Sequence, residues 1–172
     1  VGDGQAHARG EAHWGVGKGK FSVLGRGIGT GSGGAYAENG RGMQGFHGAA
    51  GHMGHIECSA AAGIPCACGR SGHLESVASG TSIGRKYDER FGRVDPSRPS
   101  VGRDVNDLCR AGDAKATEVI HDAGFALGAS LGSLANILDP EVIVLSGGVI
   151  HQGPDWRSQT WMASVHEGYA SP

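Results

Sequence analysis

The stretch GHMGHIECSAAAGIPCACGRSGHLE, residues 51–75, concentrates three of the chain's four Cys and three of its nine His. Thiolate sulfur and imidazole nitrogen are donors that Zn²⁺ accepts, and a structural zinc site closes with four of them in a tetrahedron. His55, Cys66, Cys68 and His73 supply two of each. Gly69 and Gly72 let the chain curl so that His73 can return to the ion. Cys66 and Cys68 are separated by a single residue, too close for an unstrained disulfide. Cys58, beside His55, is a competing ligand read here as a spectator. On spacing alone a reduced, partly buried Cys pair with surface His stays open, because Cys-x-Cys is a less usual zinc spacing than Cys-x-x-Cys. Cys109 lies on a predicted helix far along the chain and reads as core.

The elements that must position this loop are legible on both sides of it. KFSVLGRG and GGAYAENG read as two short strands, with a Gly-rich turn between them and Asn39-Gly40 closing the second. From Arg41 to Arg70 there is little periodicity, which reads as loop. HLESVASGTSIGRKYDERFG reads as a helix weakened by Gly80 and Gly84, followed by the connector DPSRPS. Ala116, Ile120, Ala123, Leu127, Leu131, Leu134 and Leu138 recur at steps of three and four, one apolar stripe of a long helix. Its many small residues fit close packing on a sheet, and Asp139-Pro140 stops it. EVIVLSGGVI follows as a buried strand that ends at Gly147-Gly148, where a ligand can approach. Strands, a long helix and a further buried strand predict an α/β or mixed-sheet domain.

Composition bounds the function. The chain has 172 residues, 38% hydrophobic and 19% charged, with a net charge of −2. That suffices for one domain with its own core. It carries no basic surface for nucleic acid and no apolar run approaching the roughly 18 residues of a membrane span. The first twenty residues are polar and Gly/His-rich, unlike a secretory signal. The 33 glycines have no repeat period. They cluster, as in GRGIGTGSGG, between apolar runs, which fits tight turns and backbone held close to a ligand better than a mobile linker. Both ends look cut, as expected of part of a larger protein.

The residues also carry a resemblance. AAGHMGHIE followed by CACGRSGHLESVASG resembles the signature of the ROK family (repressors, open reading frames and sugar kinases), Gly-Glu-x-Gly-His and then Cys-x-Cys-Gly-x-x-Gly-Cys-x-Glu. The likeness extends to GIGTGSGGAYAENG, to GFHGAAG and to LGASLGSLANILDPEVIVLSGGV, most of the chain from Gly27 to Val149. It implies an α/β, actin-like ATPase (ribonuclease H-like) fold in which two domains close on a sugar and ATP with Mg²⁺. The family's Asp-x-Gly-Gly-Thr-Lys phosphate loop is absent from this sequence. Residues 1–172 therefore match the larger C-terminal domain, with the zinc loop at 51–75 and the last helix missing.

Residue by residue, the resemblance implies the following site. Asp3 stands in the place of the catalytic aspartate, which orients a sugar hydroxyl and takes its proton; the Asn that precedes it in the family is Gly2 here. Gly29, Thr30, Gly31 and Gly33 match the turn that approaches the ATP phosphates, though the residues alone fit a plain hairpin better. Gly147 and Gly148 match the glycines beside the adenosine. His55 and Glu75 match sugar-binding positions, with His55 also a zinc ligand. His52 replaces the Glu of most glucokinases and resembles the Gly-His-x-Gly-His of bacterial N-acetylmannosamine kinases. A carboxylate accepts from two hydroxyls, whereas a neutral His offers one donor and one acceptor, which fits an N-acetyl sugar. His73 replaces the family's third Cys, so the tetrahedron survives with one thiolate fewer, and the zinc is structural.

The leading expectation is thus an ATP-dependent kinase acting on N-acetylmannosamine, glucose or another hexose, with this chain alone inactive. A sugar-responsive repressor, which keeps the loop and adds an N-terminal helix-turn-helix, is the rival, and a non-catalytic scaffold with a decayed site the third reading. A Cys-ligated metal and the need for ATP imply the reducing cytoplasm. The resemblance implies a homodimer.

Overall fold

Asn39 and Gly40 both take positive φ, 49° and 71°, the conformation a tight hairpin turn needs and these residue types tolerate. In the computed structural model, which describes Gly10 and residues 14–151, that turn follows two antiparallel strands. β1 (Ser22–Ile28) and β2 (Ser32–Glu38) pair from Ser22 opposite Glu38 to Ile28 opposite Ser32. β3 (Arg41–Gly42) adds two residues beyond the turn, and β4 (Val142–Ser146) lies parallel to β1 on its other edge. The strand order is β3-β2-β1-β4.

The loop expected from Arg41 to Arg70 contains β3 and the 3₁₀ turns Met53–His55 and Ser59–Ala61, with a third turn at Leu74–Ser76. Glu57 bridges to His73 and Pro65 to Ser71, so the loop folds back on itself without forming strands. The helix expected from His73 begins later, as α1 (Gly80–Phe91). Ser79 sets that start. Its hydroxyl accepts from the Ser82 N–H at 3.2 Å, and the Ser82 hydroxyl takes the Ser79 N–H at 2.8 Å, a reciprocal cap. Gly84 is there for contact rather than as a weak point: a Cβ would stand 2.0 Å from the Ser100 carbonyl.

α2 (Gly102–Arg110) carries Cys109, which packs against the core. α3 (Ala114–Leu138) carries the expected stripe, capped by Asp113, whose carboxylate accepts from the Ala116 N–H at 2.7 Å. It ends at Asp139, in the left-handed region with φ 43°. α4 opens at Gly148 and is described to His151. The core joins Leu24 and Ile28 of the sheet to Leu74, Ile83, Val105, Ile120 and Leu127, all fully buried. No helix among the described residues is long and apolar enough to cross a membrane. Asp3 lies outside the described residues.

Candidate functional site

The loop at 51–75 is built by short-range backbone bonds. The Cys66 N–H donates to the Arg70 carbonyl at 2.7 Å, and the Gly69 N–H returns to the Cys66 carbonyl at 3.0 Å. This turn needs Gly69 at φ 88°, and Gly72 bends the chain again at φ 84°. The two turns put both thiols and His73 on the same side as His55, which ends the Met53–His55 turn. The donor atoms of His55, Cys66, Cys68 and His73 all lie within 4.8 Å of one another. Cys58 is not among them, and packs against the core.

The spacing can be tested against the metal. Zinc bonds of about 2.3 Å to sulfur and 2.0–2.1 Å to nitrogen in a tetrahedron place S and N roughly 3.6 Å apart. Cys66 Sγ is 3.6 Å from His55 Nδ1, and Cys68 Sγ is 3.2 Å from His73 Nδ1. Donor types, number and spacing fit Zn²⁺. Cys66 and His73 are buried while Cys68 is exposed. Burial pushes the Cys66 thiol up, with the Cys68 sulfur beside it adding to the shift. A metal must therefore displace a proton there, and affinity falls as pH falls.

Beside this cluster is an open cleft of about 610 Å³. His52, His55 and Glu75 line one part, and Gly29, Thr30, Gly31, Gly33 and Gly147 line another. Gly148 follows as the first residue of α4. One Glu75 carboxylate oxygen accepts from the Ser32 N–H at 3.0 Å. Two glycines permit that geometry. A Cβ on Gly31 would stand 2.9 Å from the Glu75 carboxylate, and one on Gly54 only 1.9 Å from the Ser32 carbonyl. The turn after β1 is clamped to α1: the Gly80 N–H donates to the Gly29 carbonyl at 2.7 Å, and the Thr81 hydroxyl to the Thr30 carbonyl at 3.0 Å. Gly147, at φ 100°, passes so close to β1 that a Cβ would meet the Ile28 carbonyl at 2.3 Å.

The two cleft histidines stack, with ring centroids 6.3 Å apart. His52 Nδ1 is 2.7 Å from the Ala49 carbonyl. A carbonyl only accepts, so Nδ1 carries the proton and the neutral ring keeps Nε2 as an acceptor. His55 turns Nδ1 to sulfur, which leaves Nε2 as its other polar atom.

The cleft and the donor cluster thus bring together the expected residues apart from Gly148, which is not among the cleft's lining residues, and Asp3, which lies outside the described residues. The structure adds two that the sequence reading passed over, Arg26 and Ser32. Arg26, in the middle of β1, is fully buried, and its Nη2 donates to the Ser32 hydroxyl at 2.9 Å. The available signal was a charged residue inside the otherwise apolar run SVLGRGI.

Strands and helices in this order around a metal-ready loop and a glycine-lined cleft define an α/β domain of actin-like ATPase type. The ROK family profile matches residues 2–162, and the chain belongs to that family. A glucokinase of Halalkalibacterium halodurans is 38% identical over 160 residues, 88% of this chain and 48% of its own length. An N-acetylmannosamine kinase of Yersinia pestis is 37% identical over 147 residues, 86% of this chain and 48% of its own. This chain therefore spans about half the length of these relatives. Three solved structures superpose on it. A ROK hexokinase from Thermus thermophilus has a TM-score of 0.87 at 33% identity, covering 99% of this chain and 56% of that one. A ROK glucokinase from Streptomyces griseus, in complex with glucose and AMPPNP, has 0.85 at 27%, covering 99% and 59%. A ROK transcriptional regulator, a homologue of the E. coli MLC protein, has 0.80 at 29%, covering 97% and 43%.

Proposed function

We propose that this chain is the sugar-binding part of a two-domain, ATP-dependent kinase that phosphorylates a hexose or N-acetylhexosamine. N-acetylmannosamine and glucose are the leading acceptors. The observation that carries this reading is the single cleft in which His52, His55 and Glu75 meet the Gly29–Gly33 turn and Gly147. Both kinase relatives match across most of the chain.

The chemistry follows from the donors. Glu75 is held by the Ser32 N–H and has oxygen lone pairs left for sugar hydroxyls. His52 offers Nε2 as an acceptor, suited to a hydroxyl or an amide N–H. His55, Cys66, Cys68 and His73 would hold zinc, and the ion supplies a rigid anchor for the loop rather than an open catalytic position. With Nδ1 turned to the metal site, His55 keeps its proton on Nε2 and donates. Asp3 is the proposed base that orients the acceptor hydroxyl and takes its proton. The Gly29–Gly33 turn and the Gly147–Gly148 pair would approach ATP, whose Mg²⁺ neutralises charge as the phosphoryl group moves. Homodimerisation and a cytoplasmic location belong to the same reading, with no nucleic acid engaged by this segment.

The test is ADP release by the full-length protein with glucose and with N-acetylmannosamine. Phosphorylation with a clear preference for the N-acetyl sugar is expected, and His52→Glu should move that preference towards glucose by about tenfold, the scale of one net hydrogen bond. Equal rates with both sugars, unchanged by the substitution, would remove the role given to His52. The match to a transcriptional regulator keeps one other reading in play. Sugar-dependent DNA binding with no ADP release would select it.

A further inference from the structure

We infer that Arg26 is a positioning residue that holds the Glu75 carboxylate through Ser32. This rests on the reading of the cleft as a sugar site, since Glu75 is its proposed acceptor. Arg26 is wholly buried in β1. Its Nη2 donates to the Ser32 hydroxyl at 2.9 Å, and the Ser32 N–H donates to Glu75 Oε2 at 3.0 Å. Ser32 thus links a buried cation to an anion that borders the cleft.

The fold reserves space for this side chain. Arg26 faces Gly34 in the strand register. A Cβ on Gly34 would stand 2.7 Å from Arg26 Cδ and 3.1 Å from its Nη1. Arg26 also leaves Nε and Nη1 buried with no hydrogen-bond partner among the described residues. Burying a charge with unmet donors is costly, and an apolar side chain of similar volume would hold the sheet at least as well. Stability therefore does not account for an arginine here, while the bond to Ser32 does. Burial pulls Arg26 down to about 10, opposed by the Glu75 charge, so it stays a cation at neutral pH.

The experiment uses the full-length protein with Arg26→Met, Arg26→Lys and Ser32→Ala. The readouts are thermal midpoint, amide hydrogen exchange at Ser32, and KM for N-acetylmannosamine, glucose and ATP. Arg26→Met should keep or raise the midpoint, since it removes the unmet donors. Its Ser32 amide should exchange about tenfold faster, and KM for the preferred sugar should rise about tenfold, the scale of one charged hydrogen bond. KM for ATP should stay within about twofold, and Arg26→Lys, which can still donate to Ser32, should recover part of the loss. Ser32→Ala should raise the sugar KM in the same way, and the double variant Arg26→Met/Ser32→Ala should be no worse than Arg26→Met alone. Unchanged Ser32 exchange and unchanged sugar KM would overturn the inference. So would an Arg26→Met chain that fails to fold, because that makes the arginine structural. If the unaltered protein takes neither sugar, the reading of the cleft fails by itself, and Ser32 exchange alone then decides the role of Arg26.

Discussion

Gly54 sits where the 51–75 loop touches the strand that holds Glu75. A Cβ there would stand 1.9 Å from the Ser32 carbonyl, so Gly54→Ala must push the Met53–His55 turn away from β2. The expected cost is about 1–3 kcal/mol of stability, read by urea unfolding, as for other insertions into a filled space. Sugar affinity should fall with it, because the same shift moves His55 and Glu75 apart. At this scale the sequence was informative where chemistry is written in residue type. Two thiols, two imidazoles and the curling glycines stand within 19 positions, and the fold brings the four side chains' donor atoms together. It was silent where function depends on a neighbour across the sheet. That Arg26 faces Gly34 and reaches Ser32 follows from strand register, and no local pattern states it.

Among the elements, α3 was legible because its buried residues recur at the helical period, and tertiary packing reinforces what the pattern dictates. Its start rests on Asp113. Asp113→Ala removes the acceptor for the Ala116 N–H and should cost about 1 kcal/mol in chemical denaturation, with sugar affinity unchanged. α1 was legible in type but displaced at its start. Leu74 and Ser76 look helical by composition, yet they form a 3₁₀ turn. The Ser79–Ser82 cap, and the bond from Gly80 to the Gly29 carbonyl, fix the first helical turn six residues further on. This displacement matters for function. It frees Glu75 from a helix and lets it turn to Ser32. Between Arg41 and Arg70 the absence of periodicity was a sound guide, since order there comes from backbone turns and isolated bridges.

For the whole molecule, one core ties the sheet to α1, α2 and α3, while the 51–75 loop contributes few large apolar side chains to it. Met53, Ala61 and Leu74 are its buried apolar anchors, with Cys66 buried in the His/Cys donor cluster. The bulk of the domain should therefore fold without metal, and the loop should order only with it. Stripping a bound ion should then weaken sugar binding without unfolding α3. Sugar affinity measured by calorimetry on the full-length protein, as isolated, after metal stripping and after zinc is returned, connects loop, cleft and ligand in a single titration. The zinc-loaded protein should bind its sugar, the stripped protein at least about tenfold more weakly, and one equivalent of zinc should restore the first value. Equal affinity with and without metal would contradict a zinc-ordered sugar site.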